Sequence, residues 1–274
     1  MHAIKVMLLA GLLFAASLAH AGEQTQWRDL AYGQAPAQRL DVYAPSGAHH
    51  APVIVMVHGG AWMIGDKSNP GVTGSKLAHW SAAGYVFVSV DYRMLPADPL
   101  QQAGDIAAAL AYVQQHAVQW GGDGRRVVLM GHSAGAHLVA LLAADPTLAR
   151  SQGAHAWLGT VALDSAAYDI PRIMQAPHPA FYDRAFGADP AFWRQVSPRD
   201  RLRAGGAPML LVCSSQRLMS CSQADAFAAA VRSKGGRVQV SSQALSHKQI
   251  NAELGEDSAY TRAVDQFLRS LGLP

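Results

Sequence analysis

Several things are scarce or missing in this chain, and each absence narrows its class. Cysteine occurs only twice in 274 residues, at Cys213 and Cys221, and charged residues make up 15%. No polybasic tract exists: 22 Lys and Arg are scattered against 19 acids for a formal net charge of +3. Recognition of nucleic acid needs a clustered basic face, so no nucleic-acid partner is expected. After residue 21 every apolar run is broken by Gly, Pro or charge within the length of a strand or short helix, so no later segment offers a candidate membrane-spanning helix. Internal repeats, low-complexity tracts and linker-like composition are also missing. The 253 residues that follow position 21 therefore fit one large α/β domain, 22–274.

The N-terminus is different. Lys5, an apolar run over 6–18 and the triplet Ala19-His20-Ala21 have the order of a secretory signal peptide with an A-x-A cleavage site. The run is shorter than the roughly 20 residues that a spanning helix needs. A signal peptide over 1–21 is therefore expected, with a chain from Gly22 exported to the periplasm or secreted and not inserted in a membrane. Loss of Lys5 takes the net charge from +3 to +2. In an oxidising compartment, Cys213 and Cys221 are read as a disulfide rather than a metal pair, the alternative being two inert thiols. No convincing ligand spacing is found among the histidines, so neither metal nor cofactor is expected.

Apolar runs of strand length alternate with amphipathic stretches of helix length, the pattern of a mostly parallel sheet with helices on both faces. Strands are expected over 39–43, 53–58, 85–91, 126–131, 158–164, 208–213 and 237–242. Helices are expected near 73–83, 102–119, 133–144, 222–234 and 258–271. One segment, 171–200, is rich in Pro and aromatics and interrupts the alternation. It reads equally as a small cap over the carboxyl edge of the sheet or as an irregular helix pair that only packs.

Three local signals carry chemistry. The sequence 131-GHSAG-135 follows the strand candidate and precedes a helical run; this context makes a G-x-S-x-G motif a nucleophile elbow, presenting Ser133 above the sheet. The sequence 58-HGGAW-62 ends the most apolar strand. Its glycines leave the N–H groups of Gly59 and Gly60 free to join that of Ala134 around a developing oxyanion. His247, in 245-LSHKQINAELG-255, comes after the last strand, where a general base must enter to reach Ser133. The other histidines considered, His49, His50, His58, His132 and His137, are assigned packing or solvated roles. Trp62, Phe181, Tyr182, Phe192 and Trp193 are candidate pocket aromatics or simply core.

VHGGAWMIGDK, GHSAGAHLVALLA and SHKQINAELG, in this order, resemble the α/β-hydrolase esterases that carry an HGG oxyanion motif, among them carboxylesterases, hormone-sensitive-lipase-like and arylformamidase-like enzymes. The likeness runs from about residue 40 to 268. It implies an α/β-hydrolase fold, with Ser133 as nucleophile, His247 as base and Gly59, Gly60 and Ala134 as oxyanion donors. It fails at one position. Such enzymes take their acid from the loop after the strand that here is PMLLVC, and residues 214–220, SSQRLMS, contain no carboxylate.

Asp164, at the end of LGTVALD, is the best substitute, its alternative role being to cap the following turn. Asp169 is read as starting the 171–200 segment, and Asp225 as lying too far round. A Ser–His dyad, or Ser214 or Ser215 orienting the imidazole, also stays open. Two functions follow. One is a serine esterase that cleaves small to medium carboxylic esters through an acyl-enzyme on Ser133. The other is a hydrolase-fold binding protein degenerate in catalysis, supported only by the missing acid.

Overall fold

Strand β3 (Ala51–Val57) shows how the sheet is built. All seven of its residues are buried, and successive side chains enter opposite layers: Val53, Val55 and Val57 join one apolar cluster, Ile54 and Met56 another. A strand apolar at every position is what coverage on both faces requires. The computed structural model describes residues 24–274; the expected signal peptide, 1–21, lies outside them.

The other strands are β1 (Gln24–Ala31), β2 (Arg39–Pro45), β4 (Val86–Val90), β5 (Gly122–His132), β6 (Gly159–Leu163), β7 (Met209–Ser214) and β8 (Val238–Gln243). They form an eight-stranded sheet in the order β1-β2-β4-β3-β5-β6-β7-β8. Only β1 and β2 are antiparallel to their neighbours; from β4 to β8 the strands run parallel.

The main helices are α1 (Pro70–Ala82), α2 (Pro99–His116) and α3 (Ala134–Ala144). A short α4 (Pro146–Arg150) follows. Segment 171–200 is held in α5 (Ile170–Met174), α6 (Ala180–Phe186), α7 (Pro190–Gln195) and α8 (Pro198–Arg201), so it is a string of short helices and not a pair. Asp169 caps α5 by accepting from the Arg172 N–H. Last come α9 (Ser220–Ser233), α10 (His247–Ala252) and α11 (Ala259–Ser270).

Local chemistry explains the helix ends. Asp98 and Gln101 form a capping box on α2 with Pro99 in its first turn, satisfying N–H groups the helix leaves free. In α11 the buried residues Tyr260, Val264, Phe267 and Leu268 recur at the spacing of one helical face. Ile106 of α2, Leu138 of α3 and Phe227 of α9 pack with the valines of β3, whereas Trp80 of α1 and Phe267 pack on the other layer. The chain leaves β3 for β4 on one side and returns across it to β5 on the other. Right-handed crossovers then put α1 and α2 on opposite faces and open a crevice at the carboxyl ends of β3 and β5.

Candidate active site

Ser133 stands in that crevice. It follows β5 directly and precedes α3, with φ 57° and ψ −116°, a conformation that side-chain-bearing residues adopt at a cost and that recurs at functional turns. The turn is tight because backbone packs on backbone: a Cβ on Gly135 would lie 2.4 Å from the carbonyl oxygens of both Val57 and His58. The Ser133 N–H donates to Leu163 O at 2.9 Å, which ties the elbow to the end of β6, one residue before Asp164.

The three side chains proposed for acyl transfer meet. Ser133 Oγ lies 2.9 Å from His247 Nε2, and His247 Nδ1 lies 2.5 Å from Asp164 Oδ2. With the carboxylate ionised, Nδ1–H donates to Asp164, and Nε2 is left to accept the serine proton. Asp164 is fully buried and His247 about one-third exposed. Burial opposes ionisation of Asp164, yet hydrogen bonds from His247 and Ser220, the charge of Arg217 and the Ser214 N–H outweigh it. Its carboxyl is held well below the usual carboxylate range.

The loop that carries no carboxylate holds that of Asp164. The Ser214 N–H donates to Asp164 Oδ1 at 2.9 Å, Ser220 Oγ donates to the same oxygen, and Arg217 Nη1 donates to Oδ2 at 2.7 Å. These contacts correct two expectations. Ser214 and Ser215 do not orient the imidazole: the Ser214 hydroxyl donates to Leu245 O and that of Ser215 to Gln243 O. Asp164 does not cap its own turn, since every donor to its carboxylate comes from across the sheet edge. Cys213 and Cys221 form a disulfide that closes the loop between β7 and α9. The sequence analysis gave no role to Ser220 or Arg217; the one available signal, for Arg217, was a lone arginine in the loop where a carboxylate was missing.

The oxyanion turn is equally constrained. A Cβ on Gly59 would sit 2.8 Å from Ser133 Cβ and 2.9 Å from His132 O, so only glycine lets this backbone approach the nucleophile. Among the described residues none accepts from the N–H groups of Gly59, Gly60 or Ala134. His58 braces the turn: its Nδ1 lies 2.7 Å from Gly59 O, its ring stacks on Tyr92 at 4.6 Å, and Tyr92 Oη donates to His58 O. Gly59→Ala, whose Cβ would push this N–H away from the nucleophile, is expected to lower kcat for p-nitrophenyl butyrate about 10²- to 10³-fold, as the loss of one oxyanion donor does. A loss under about threefold would remove Gly59 from the site.

The cleft above Ser133 encloses about 1240 Å³. Trp62, Phe181 and Tyr182 line it, but Phe192 and Trp193 do not; both pack against the core from α7, and Trp193 Nε1 donates to Gly187 O. His137, assigned a packing role, also fixes an aromatic: it accepts from Trp62 Nε1 through Nδ1 and donates through Nε2 to Val196 O. Burial pushes its ring down to about 4, so it stays neutral in this role.

Two further buried groups hold the base. His132 Nε2 donates to His247 O at 3.0 Å, and the two rings lie 4.4 Å apart. Burial, followed by the neighbouring His247, pushes His132 down to about 3. Lys76 Nζ donates to Gly71 O and to Asn251 O, linking α1 to α10. Burial pushes this ammonium from 10.5 down to about 7. Between those values the unfolded chain binds more protons than the folded one, so Lys76 makes stability rise with pH. Urea unfolding should show a rise of about 2 kcal/mol between roughly pH 7.5 and 9, absent in Lys76→Met. An equal rise in both proteins would exclude Lys76 as the source.

A family model described as BD-FAE matches residues 40–230. The chain belongs to the BD-FAE family. The BD-FAE match contains the oxyanion turn, the elbow, Asp164 and the disulfide loop, and ends before His247. Among curated proteins, this BD-FAE chain is 34% identical over 126 residues to Probable isoprenylcysteine alpha-carbonyl methylesterase ICMEL1 of Arabidopsis thaliana, covering 45% of this chain and 26% of that protein. It is 29% identical over 205 residues to Esterase LipC of Mycobacterium tuberculosis, covering 69% and 50% respectively. The chain thus spans between about a quarter and a half of these relatives' length. The crystal structure of esterase B from Lactobacillus rhamnosis superposes with a TM-score of 0.72 at 20% identity, over 91% of this chain and 85% of that one. The fold shared is that of the α/β-hydrolases.

Proposed function

We infer that this chain is a serine esterase cleaving carboxylic esters of small to medium substrates. The observation that carries the reading is the unbroken line of contacts from Ser133 Oγ through the His247 ring to Asp164 Oδ2. Ser133 Oγ attacks the ester carbonyl while its proton passes to His247 Nε2. The charge that develops on the carbonyl oxygen is met by the N–H groups of Gly59, Gly60 and Ala134. Collapse expels the alcohol, which takes the proton from His247 and leaves an acyl group on Ser133. Water then attacks the acyl carbon by the same route, releasing the acid and the free serine.

The binding-protein reading rested on a missing acid, and Asp164 removes that support. The relatives' names, a methylesterase and an esterase, favour ester chemistry. In this reading α6 serves as part of a cap: Phe181 and Tyr182 line the cleft with their rings tilted against Trp62 of the oxyanion turn. Export is proposed from residues 1–21 together with the disulfide, a bond that persists in oxidising compartments.

The test is incubation of the chain from Gly22 with a fluorophosphonate and with p-nitrophenyl esters of increasing acyl length. Stoichiometric labelling of Ser133, found by peptide mass spectrometry, and turnover of at least one ester are expected. A protein that neither labels nor turns over any ester is not an esterase.

A further inference from the structure

Arg217 touches both members of the acid–base pair, yet none of the acyl-transfer steps uses it. Its Nη1 carries two hydrogens. One is directed to Asp164 O at 3.0 Å and the other to Asp164 Oδ2 at 2.7 Å. Both are therefore spent on a single residue, gripping its backbone and its side chain together. The same Nη1 lies 3.0 Å from His247 Nδ1. That ring nitrogen already donates to Oδ2, so the contact joins two donors that share one acceptor, not a donor and an acceptor.

Asp164 needs such a grip. Its φ is 55°, in the left-handed region where a residue with a side chain is strained. It also sits at the end of β6, not on the loop that supplies the acid in the enzymes this chain resembles. A carboxylate free to rotate about its side-chain bonds would present Oδ2 to Nδ1 only part of the time. Here Ser214 N–H and Ser220 Oγ hold Oδ1, and Arg217 holds Oδ2. The mount is stiff: Arg217 lies in the segment closed by the Cys213–Cys221 bridge, its own N–H donates to Ser214 O, and its side chain is 29% exposed.

We propose that Arg217 is the positioning residue for the acid in this site, holding Asp164 so that Oδ2 faces the imidazole. The loop that lacks a carboxylate supplies the cation that makes a carboxylate at the end of the neighbouring strand serve. This assignment rests on the esterase reading above and adds a residue to it.

The experiment compares wild type, Arg217→Met and Arg217→Lys on p-nitrophenyl butyrate, with kcat divided by active sites titrated to completion with a fluorophosphonate. For Arg217→Met, kcat per titrated site is expected to fall about 10- to 100-fold, the worth of one hydrogen bond to a charged group. KM should stay within about twofold, and Arg217→Lys, which keeps the charge and can donate from one nitrogen but on a flexible stem without the planar guanidinium, should recover part of the loss. The low-field proton resonance of the His247–Asp164 hydrogen bond should broaden in Arg217→Met. Fewer titratable sites with unchanged kcat per site would mean a purely structural role and overturn the assignment. A raised KM at constant kcat would make Arg217 a substrate-binding group and overturn it as well. A wild type that fails to label at Ser133 would remove the esterase reading and this role together. If labelling succeeds and Arg217→Met still matches wild type, only the assignment of Arg217 fails.

Discussion

Ser133→Ala is expected to lower kcat for p-nitrophenyl butyrate by about 10⁶-fold, because removal of the nucleophile from a serine triad disables its base and acid together. Among the described contacts the hydroxyl bonds only to His247, so its loss should leave the melting temperature within a few degrees of wild type. Ser133→Ala/His247→Ala should be no slower than Ser133→Ala alone, since residues that act as a unit are not additive. The residual rate should remain about 10³-fold above that in water, supplied by the oxyanion donors and binding. The check is steady-state hydrolysis with both variants purified free of wild type. Activity in Ser133→Ala within about 100-fold of wild type would place the chemistry on another residue.

Asp164→Asn is expected to lower kcat about 10⁴-fold. An amide in place of the carboxylate offers a donor to His247 Nδ1, which favours the tautomer with its proton on Nε2, where it cannot accept from Ser133. The same change leaves Arg217 beside a neutral side chain in a largely buried position. Stability should therefore also fall, by about 1–3 kcal/mol. Kinetics and urea unfolding on the same preparation separate the two effects. If the variant keeps more than about a tenth of wild-type kcat, the pair Ser133–His247 works without its acid, and the contacts of Asp164 are structural.

The candidate elbow, oxyanion turn and base were legible because each is marked by a short contiguous stretch. Gly131, Ser133 and Gly135 lie within one turn, and their meaning depends only on a strand before and a helix after. The seven strands expected from apolar runs all formed, with ends shifted by a few residues at most except at β5, which begins earlier, at Gly122. Strand β1 was missed because Gln24–Ala31 is an edge strand, mostly exposed and without apolar alternation. Helix α10 was missed because six residues are too few for a helical period to show. In 171–200, prolines start the short helices and mask any longer period.

The sequence by itself determined the class of sheet and marked the candidate nucleophile, base and oxyanion turn, since local backbone geometry and hydrophobic period follow from neighbouring residues. Only the tertiary structure decided which carboxylate serves His247 and what holds it. Asp164 and Arg217 are separated by 53 positions in the chain, and they meet because β6 and β7 are hydrogen-bonded neighbours in register. Strand order is a property of the whole sheet, set by how the crossovers pack, and no stretch of residues near Asp164 encodes it.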